Sequence, residues 1–392
     1  MRALRIAHLS DTHLGYRALF KTDPVTGRNQ RAIDIELAYE RAIDDILERD
    51  VDLVIHAGDV FHHTRPSWAS IRAFLRQTRR LVERGIPGLV IAGNHDTPRL
   101  RASGSVFSVA EFALPGIRFV TDYTQASELF SELDLMVLAI PHGKLADPLP
   151  PSALPTPGLR NILVTHGLIG GLHLTKQMTE PGEEFVPDYI LQSEFDYIAL
   201  GDFHISCKVR SNAWYSGSTE RMGWGDYDAI PGYAVVEFAE GPSEPVFTHI
   251  PIEARPMKRL EPLNCAGKSA QEIAAIVLKR VERDAPPDGM ARVEFRDATR
   301  PVRREAEAIL RREAAEFVWS LEIKSPNDIL APFGNVEPAL DVSDVLSLFD
   351  EFVASRQFPV DFETTFKDKG RRALEFAAQK IEQASSTEES GS

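Results

Sequence analysis

The stretch LRIAHLSDTHLG, residues 4–15, decides how the chain begins to fold. Its first half is an apolar, β-branched run that predicts a buried strand, and the run ends in Asp11 and His13. Two similar runs and the two helically spaced segments between them lie at 51–58, 87–93, 32–49 and 68–84. Alternating strands and helices are typical of a largely parallel layer, so we expect an α/β fold.

Length and composition limit the class of protein. A chain of 392 residues predicts a large domain plus a smaller unit. The net charge of −14 has the wrong sign for bulk attraction to nucleic acid, so such a partner must be held locally. Cys207 and Cys265 form no CxxC pair, which argues against a thiolate metal site or a disulfide framework. With no apolar stretch or leader suited to a bilayer, we expect a cytoplasmic protein without a membrane partner.

The chain divides into regions of different character. Further apolar runs at 133–140, 161–167 and 195–201, followed by a strand-rich stretch to 252, indicate that the sheets are mixed. After residue 255 a compact helix–strand–helix–strand pattern follows, with its elements predicted at 269–284, 291–297, 303–317 and 318–325. We therefore predict a main domain at 1–255, a small α+β domain at 256–330, a helical C-terminal segment at 331–383 and a disordered tail at 384–392.

Polar motifs stand at the ends of five predicted strands: DTH (11–13), GDVFHH (58–63), GNHD (93–96), THG (165–167) and GDFH (201–204). Because the carboxyl ends of strands in an open α/β sheet share one edge, we expect these motifs to meet in one cleft. They offer seven candidate metal ligands: Asp11, His13, Asp59, Asn94, His166, Asp202 and His204.

This mixture of oxygen and nitrogen ligands suits Mn, Fe or Zn rather than Ca. Seven ligands with a bridging carboxylate suffice for two ions, which would activate a bridging water and clamp the phosphorus oxygens during in-line attack. Each motif alone has an ordinary interpretation, since Gly-Asp is often only a turn, and the five together favour the metal site. By contrast, His8 and His56 lie inside apolar strands and are expected in the core.

The five motifs in this order resemble the calcineurin-like metallophosphoesterase superfamily. Within it, residues 58–71 and 215–238 are most similar to the SbcD-type nuclease subunit of the DNA double-strand-break repair complex. The resemblance covers about residues 1–255 and is weak beyond 330. It implies a four-layer αββα sandwich with a small α+β cap domain that binds DNA, followed by C-terminal helices. It also implies Mn-dependent exonuclease (3′–5′) and endonuclease activity on DNA ends, with Mg, Fe or Zn as alternative metals.

The resemblance assigns roles to individual residues. The first ion would be held by Asp11, His13, Asp59 and His204. The second would share Asp59 as a bridge and take Asn94, His166 and Asp202. His95 matches the catalytic histidine, which assists the leaving group, His62 would orient it, and Asp96 would accept hydrogen bonds behind it.

Asp202 departs from the family pattern, in which a histidine usually occupies this position. A third carboxylate should favour Mn or Mg and reduce the Lewis acidity of the second ion. We expect direct ligation by Asp202. The alternatives are that Asp202 contacts only a metal-bound water, or that the second site is weak.

Two regions are candidate contact surfaces. The 68–84 helix and its flanks carry arginines that could bind phosphates or form a solvated face: Arg65, Arg72, Arg76, Arg79, Arg80, Arg84, Arg99 and Arg101. In the family this region forms a homodimer contact, and the apolar set Trp68, Ile71, Phe74 and Leu75 fits that contact or core packing. Residues 341–358 have apolar side chains at helical spacing. Family C-terminal helices bind an SMC-like ABC ATPase (SbcC-type), whereas such a stripe can equally pack on its own domain.

Three functions remain open from the sequence. The first is a Mn-dependent nuclease on DNA ends, favoured by the cap-like domain and by residues 58–71 and 215–238. The second is a general metallophosphoesterase acting on a small nucleotide or phosphomonoester. The third is a non-catalytic DNA-end scaffold whose second metal site is impaired at Asp202.

Overall fold

A computed structural model describes residues 1–100, 104–121, 123–147, 151–170 and 184–325, together with 353, 367 and 369–372. Apart from those last few positions, the predicted helical segment at 331–383 and the tail at 384–392 lie outside the described residues. The chain forms two compact units. Of the described residues, the first unit comprises those within Met1–Met257 and Pro286–Met290, and the second comprises Lys258–Ala285 and those from Ala291 onward.

The first unit contains twelve strands and five helices within the described ranges. The strands are β1 (Leu4–Leu9), β2 (Leu53–His56), β3 (Gly88–Ile91), β4 (Ile117–Val120), β5 (Ala126–Phe130), β6 (Leu135–Ile140), β7 (Arg160–His166), β8 (Tyr197–Gly201), β9 (Cys207–Arg210), β10 (Ala213–Tyr215), β11 (Gly232–Phe238) and β12 (Val246–Pro251). The helices are α1 (Gln30–Leu47), α2 (Trp68–Glu83), α3 (Phe107–Ala113), α4 (His142–Leu145) and α5 (Asp188–Leu191).

The strands form two mixed sheets of six. The first has the order β12-β11-β1-β2-β3-β4, in which β1 to β4 run parallel and β11 pairs antiparallel with β1. The second has the order β5-β6-β7-β8-β10-β9, in which β6, β7, β8 and β10 run parallel. The predicted alternation of strands and helices is confirmed for β1 to β3, which α1 and α2 connect. Asn29 and Ser67 cap these two helices through their side-chain oxygens.

Apolar clusters define the layers of this unit. One cluster joins the outer face of the first sheet to its helices, with Ile35 from α1, Phe74 from α2 and Phe107 from α3. A second fills the space between the sheets, where Ile6 and Val137 are fully buried. A third covers the outer face of the second sheet, with contributions from α5 and the surrounding loops. The unit is therefore an α/β sandwich of two sheets flanked by helices, as expected.

The second unit is a small sheet covered by two helices. Its elements are β13 (Met257–Arg259), β14 (Leu263–Asn264), α6 (Ala270–Asp284), β15 (Met290–Arg296), α7 (Arg300–Glu313) and β16 (Ser320–Lys324). Val277 of α6, Phe295 of β15 and Leu310 of α7 meet in its core. Helix α7 begins three residues before the predicted start, because Pro301 is tolerated in the first turn of a helix. Among the helices of the described residues, none combines the length and the apolar composition needed to span a bilayer.

Candidate metal centre

The carboxyl ends of five strands of the first unit bring the predicted polar side chains together. The loops after β1 and β2 are joined by their main chains, since the N–H groups of Asp11 and His13 donate to the oxygens of Gly58 and Asp59, each over 3.0 Å. Positive φ angles occur at Asp11 (53°), His13 (44°), Asp59 (55°) and Asp202 (99°). Left-handed backbone is unfavourable for non-glycine residues and clusters at functional sites, so these loops are held by their surroundings.

One group of ligand atoms gathers around His13. The ligand atoms of Asp11, His13 and His204 all lie within 4.8 Å of one another. His13 Nε2 lies 3.2 Å from His204 Nε2 and 3.4 Å from Asp59 Oδ2. Two imidazole nitrogens cannot direct lone pairs at each other at this distance unless a proton or a cation lies between them.

The two histidines of this group have opposite pKa shifts. Burial holds the pKa of His13 well below its usual value. Burial also lowers the pKa of His204, but Asp226 and then Asp11 and Asp59 outweigh it and raise that pKa to about 10. The negative side chains around His204 therefore favour positive charge at this point, which a metal ion can supply.

A second group of ligand atoms gathers around His166. Its Nε2 lies 3.1 Å from Asn94 Oδ1, 3.5 Å from Asp59 Oδ1 and 3.6 Å from Asp202 Oδ1. Its Nδ1–H donates to the oxygen of Ala57 over 2.7 Å, which fixes Nε2 as the atom that can bind a metal. Asp59 is thus within reach of both groups, as a bridging carboxylate must be.

Three glycines make room for this arrangement. A Cβ atom at Gly93 would lie 2.1 Å from Asp59 Oδ1 and 2.7 Å from His166 Nε2. At Gly58 it would lie 2.4 Å from His166 Nδ1, and at Gly201 it would lie 2.0 Å from the oxygen of Ala57. The close approach of glycine backbone keeps the ligand atoms together, and their carboxylate, amide and imidazole chemistry fits a pair of divalent ions.

His95 lies beside both groups. Its main-chain N–H donates to Asp59 Oδ1 over 3.0 Å, and its ring Nδ1–H donates to the main-chain oxygen of His62 over 3.0 Å. The His62 ring stacks on the His95 ring, with centroids 4.9 Å apart and an interplanar angle of 18°. His62 therefore contacts His95 through its main chain and its ring face. His13, His62 and His95 also bring one nitrogen each within 4.8 Å of one another.

Asp96 connects the loops after β2 and β3 by hydrogen bonds. Its carboxylate accepts three backbone N–H groups, from Val60 (3.0 Å), Phe61 (2.9 Å) and Gly93 (3.1 Å). Burial and the nearby Asp59 carboxylate raise the pKa of Asp96 to about 7, against the opposing effect of these N–H donors. Asp96 thus acts on the site through the positions of the two loops.

Two further residues of the site, Asp226 and His142, lie outside the predicted ligands and catalytic residues. Asp226 Oδ2 lies 2.9 Å from His204 Nδ1 and also accepts the main-chain N–H of Met222 over 2.8 Å. The ring of His142 lies 6.3 Å from that of His166 and faces the same cleft. His142 follows the end of β6, so its position after a strand is a sequence signal for the cleft, although too weak to assign it a role. Asp226 has no such signal, and only the folded chain reveals it. Asp226 is a carboxylate behind a candidate ligand, an arrangement that orients the ring and raises its basicity.

A cleft of about 1030 Å³ opens beside the ligand groups. Asn94, His95 and His142 are among its lining residues, and exposed Arg65 and Arg99 stand further along it. Of the other predicted arginines, Arg76 pairs with Glu40 and Arg80 pairs with Asp44 across α1 and α2, which fits a solvated face. Arg101 lies outside the described residues.

The comparisons with known proteins agree with this geometry. Residues 4–230 match the family described as calcineurin-like phosphoesterase. The chain is 32% identical to the "DNA double-strand break repair protein Mre11" of Haloferax volcanii over 298 residues, which are 74% of this chain and 61% of the relative. It is also 32% identical to the Mre11 protein of Thermoplasma acidophilum, over 54% of this chain and 55% of the relative. The chain thus spans somewhat more than half the length of these relatives. With more than half of its residues matched by the family, the chain belongs to the calcineurin-like phosphoesterase family.

Proposed function

We propose that this chain is a metal-dependent nuclease that acts on DNA ends in double-strand-break repair. The observation that carries the proposal is the pair of ligand groups that share Asp59 at the edge of a large polar cleft. The similarity to Mre11 proteins supports DNA as the substrate. A nuclease needs a cleft with room for a chain of nucleotides, and this cleft extends from His95 towards Arg65 and Arg99.

We infer two divalent ions, with Mn as the native choice. The ligands of the first would be Asp11, His13, Asp59 and His204, and those of the second Asp59, Asn94, His166 and Asp202. When bound, such ions polarise the phosphate group and activate water for in-line attack. The protein contributes fixed ligand orientation, because His166 and His204 each have their second ring nitrogen bonded to an acceptor.

His95 is the proposed catalytic histidine. Because its Nδ1–H bonds to the oxygen of His62, its Nε2 is the atom that can carry a proton to the leaving oxygen. His62 orients that ring by its main chain and its stacked imidazole. Asp96 holds the two loops that carry both histidines. Cleavage in the 3′–5′ direction, together with endonuclease activity, belongs to the same proposal.

The second unit is the proposed DNA-binding cap, corresponding to residues 256–330. Helix α7 has three exposed arginines on one of its faces, because their spacing matches the helical repeat: Arg300, Arg304 and Arg311. Arginines arranged along one face can contact successive phosphates of a backbone. Such a local surface would offset the net negative charge of the chain.

A homodimer is proposed through the surface formed by α2 and α3. Trp68 is 87% exposed, and Val109 and Phe112 of α3 are 58% and 92% exposed. By contrast, Phe74 is buried. Part of the predicted apolar face of α2 therefore packs in the core, and Trp68 remains exposed on the surface. Exposed apolar side chains on α2 and on α3 favour a self-contact through these helices.

An SbcC-type ATPase is the proposed protein partner. The segment at 341–358, whose apolar spacing suggested that contact, lies outside the described residues except for the buried Val353. Co-purification of the full chain with such an ATPase, lost on deletion of 341–358, would support the partner. Cytoplasmic location remains a prediction from the sequence.

The test of the proposed function is a cleavage assay on linear duplex DNA with Mn²⁺, run beside a small phosphodiester, bis(p-nitrophenyl) phosphate. Wild type should degrade the DNA, EDTA should stop it, and His166→Ala should abolish it. His249→Gln, which removes a partly buried histidine far along the chain on β12, should retain activity. Cleavage of the small ester without cleavage of DNA would favour the general phosphoesterase. Binding of DNA ends without cleavage of either would favour the scaffold.

A further inference from the structure

Four charged side chains are buried together beside helix α1, outside the ligand groups. Arg31 and Glu220 are each 1% exposed, Asp34 is 8% exposed, and the side chain of Arg255 is 12% exposed. All four belong to the first compact unit. Two guanidinium groups balance two carboxylates. Burying ions costs folding free energy, and apolar side chains of the same volume often stabilise a fold equally well. We therefore explain this ion group by its role in positioning the chain segments that it connects.

Arg255 forms hydrogen bonds with three separate parts of the first unit. Its Nε lies 2.6 Å from Asp34 Oδ2, and its Nη2 lies 2.7 Å from Asp34 Oδ1, a two-pronged contact with α1. Its main-chain N–H donates to Glu220 Oε2 over 3.0 Å. Its Nη1 donates to the main-chain oxygen of Asp288. The segment that precedes the second unit is therefore bonded to α1, to the loop after β10 and to the 286–290 turn.

The same ion group holds the loop that supports His204. Arg31 Nη1 lies 2.7 Å from Asp34 Oδ2, and its Nη2 donates to the main-chain oxygen of Arg221 over 2.5 Å. The next residue, Met222, donates its N–H to Asp226 Oδ2, the atom that also accepts from His204 Nδ1. One end of the 220–226 loop is thus fixed by arginines, and the other end contacts a candidate metal ligand.

We propose that Arg255 is a positioning residue of the metal centre. Through the buried ion group and the 220–226 loop it holds Asp226 against His204, and so it sets the affinity for the ion that His204 binds. The inference rests on the proposed metal-dependent function.

The chain offers a matched control in Arg41. This arginine also bonds to the segment before the second unit, since its Nη1 donates to the main-chain oxygen of Glu253 over 2.9 Å and its Nη2 lies 3.6 Å from the Glu253 carboxylate. Both side chains are exposed, at 41% and 81%. Arg41→Ala removes an arginine contact from the same segment and leaves the buried ion group intact.

The experiment is a titration of the full metal-free chain with Mn²⁺, followed by calorimetry and by the Mn²⁺ paramagnetic resonance signal, at a temperature where every variant is folded. Wild type should bind two ions. Asp226→Asn should weaken one of them by roughly 10- to 100-fold, the range for residues directly behind metal ligands. Arg255→Ala should weaken the same ion by roughly tenfold, the lower end of that range, and Arg41→Ala should leave both unchanged. Asp226→Asn combined with Arg255→Ala should be no weaker than Asp226→Asn alone, because both act on one contact.

Wild-type affinities for both ions in folded Arg255→Ala would overturn the inference and leave Arg255 a purely structural residue. If Arg255→Ala does not fold, Arg255→Lys keeps the charge without the two-pronged contact, and unchanged affinities there would overturn it equally. A wild-type chain that binds no Mn²⁺ would overturn the proposed function itself, so the two failures are distinguishable.

Discussion

The ring Nδ1 of His95 lies 3.0 Å from the main-chain oxygen of His62. A carbonyl oxygen can only accept, so Nδ1 carries the proton and Nε2 is the basic atom of the neutral ring. The main-chain N–H of His95 meanwhile donates to Asp59 Oδ1, the carboxylate that both ligand groups share. The tautomer of His95 and its position relative to the candidate metal centre are therefore fixed by separate bonds.

His95→Asn should slow DNA cleavage without removing the metals. Loss of a proton donor costs about 10²- to 10⁴-fold in rate, so kcat on linear duplex DNA should fall by that factor at saturating Mn²⁺. Mn²⁺ affinity, measured by calorimetry, should stay close to wild type. His249→Gln serves as the histidine control. If His95→Asn lost an ion instead, His95 would be a ligand, a role that its approach to His13 and His62 also permits.

Gly93→Ala should destroy metal binding while the sandwich still folds. A Cβ at this position would lie 2.1 Å from Asp59 Oδ1, 2.5 Å from the Asp59 main-chain nitrogen and 2.7 Å from His166 Nε2, so both side chains and the loop after β2 would have to move. Gly170→Ala is the matched control, because a Cβ there meets no atom within 4 Å. Metal content after loading with Mn²⁺, measured beside far-ultraviolet circular dichroism, checks the pair. Full Mn²⁺ content in Gly93→Ala would contradict the importance of this close approach.

The five motifs were enough to predict that the seven candidate ligands meet, but one sheet edge explains only part of the meeting. Parallel strands place their carboxyl ends at one edge, which accounts for the residues after β1, β2 and β3 in the first sheet and for those after β7 and β8 in the second. The two sets come together because the two sheets pack on each other, as the contact of His166 with Asp59 shows. The structure brings these side chains together, and their roles as ligands remain predictions. The same rule located His95, because it follows Asn94 in the loop after β3.

Residues that reach the site through tertiary packing could not be predicted in this way. Asp226 meets His204 across 22 positions that include β9 and β10, and no spacing rule connects the two. Trp68 and Phe74 have the same apolar character, yet one is open and the other buried, because only Phe74 faces the core under α1. Strands β4 and β5 were also missed, since they are short and interrupted by charged side chains such as Arg118 and Glu128.

Phe112→Asp should convert a dimer to a monomer. The side chain is 92% exposed, so a carboxylate costs the free monomer little, whereas burying that charge in an apolar contact is strongly unfavourable. Size-exclusion chromatography with light scattering measures the mass. Val246→Asp, at an apolar position of β12 that is 60% exposed, is the control and should leave the mass unchanged. A wild-type chain that is monomeric at micromolar concentration would exclude the proposed dimer.

The contribution of His8 to the unfolding free energy of the metal-free chain should fall as the pH drops below 6.5. Burial, and next the neighbouring His56, lower the pKa of His8 to about 3, while its ring bonds to the Tyr197 hydroxyl over 2.8 Å. In the unfolded chain His8 has its ordinary pKa of 6.5. Between pH 6.5 and pH 3 only the unfolded state therefore binds the proton. The stabilisation that neutral His8 contributes is fully present above pH 6.5 and is lost progressively towards pH 3. At pH 5 the loss is about 2 kcal/mol for this group.

Chemical denaturation at pH 7 and pH 5 in EDTA measures that dependence. His8→Gln should be less stable at both pH values but should show a smaller decrease between them. His63→Gln changes an exposed histidine and should show the wild-type decrease. An unchanged decrease in His8→Gln would mean that other groups account for the loss.

Asp202→His should change which metal the second group prefers. Asp202 Oδ1 lies 3.6 Å from His166 Nε2, its main-chain N–H donates to Asp11 Oδ1 over 3.1 Å, and its side chain is only 7% exposed. With aspartate present, three carboxylates would face the two proposed ions and would favour Mn²⁺ or Mg²⁺. An imidazole removes one negative charge and should shift the ratio of Zn²⁺ to Mn²⁺ affinity by about tenfold towards zinc. Asp202→Asn separates the loss of charge from the gain of nitrogen, because it keeps the size of the side chain and suits the positive φ. Competition titrations give the ratio, and DNA cleavage is followed in parallel. If wild type were inactive and only Asp202→His cleaved DNA, the natural chain would be a DNA-end scaffold. In that case Asp202 alone would account for the lack of cleavage by the wild-type chain.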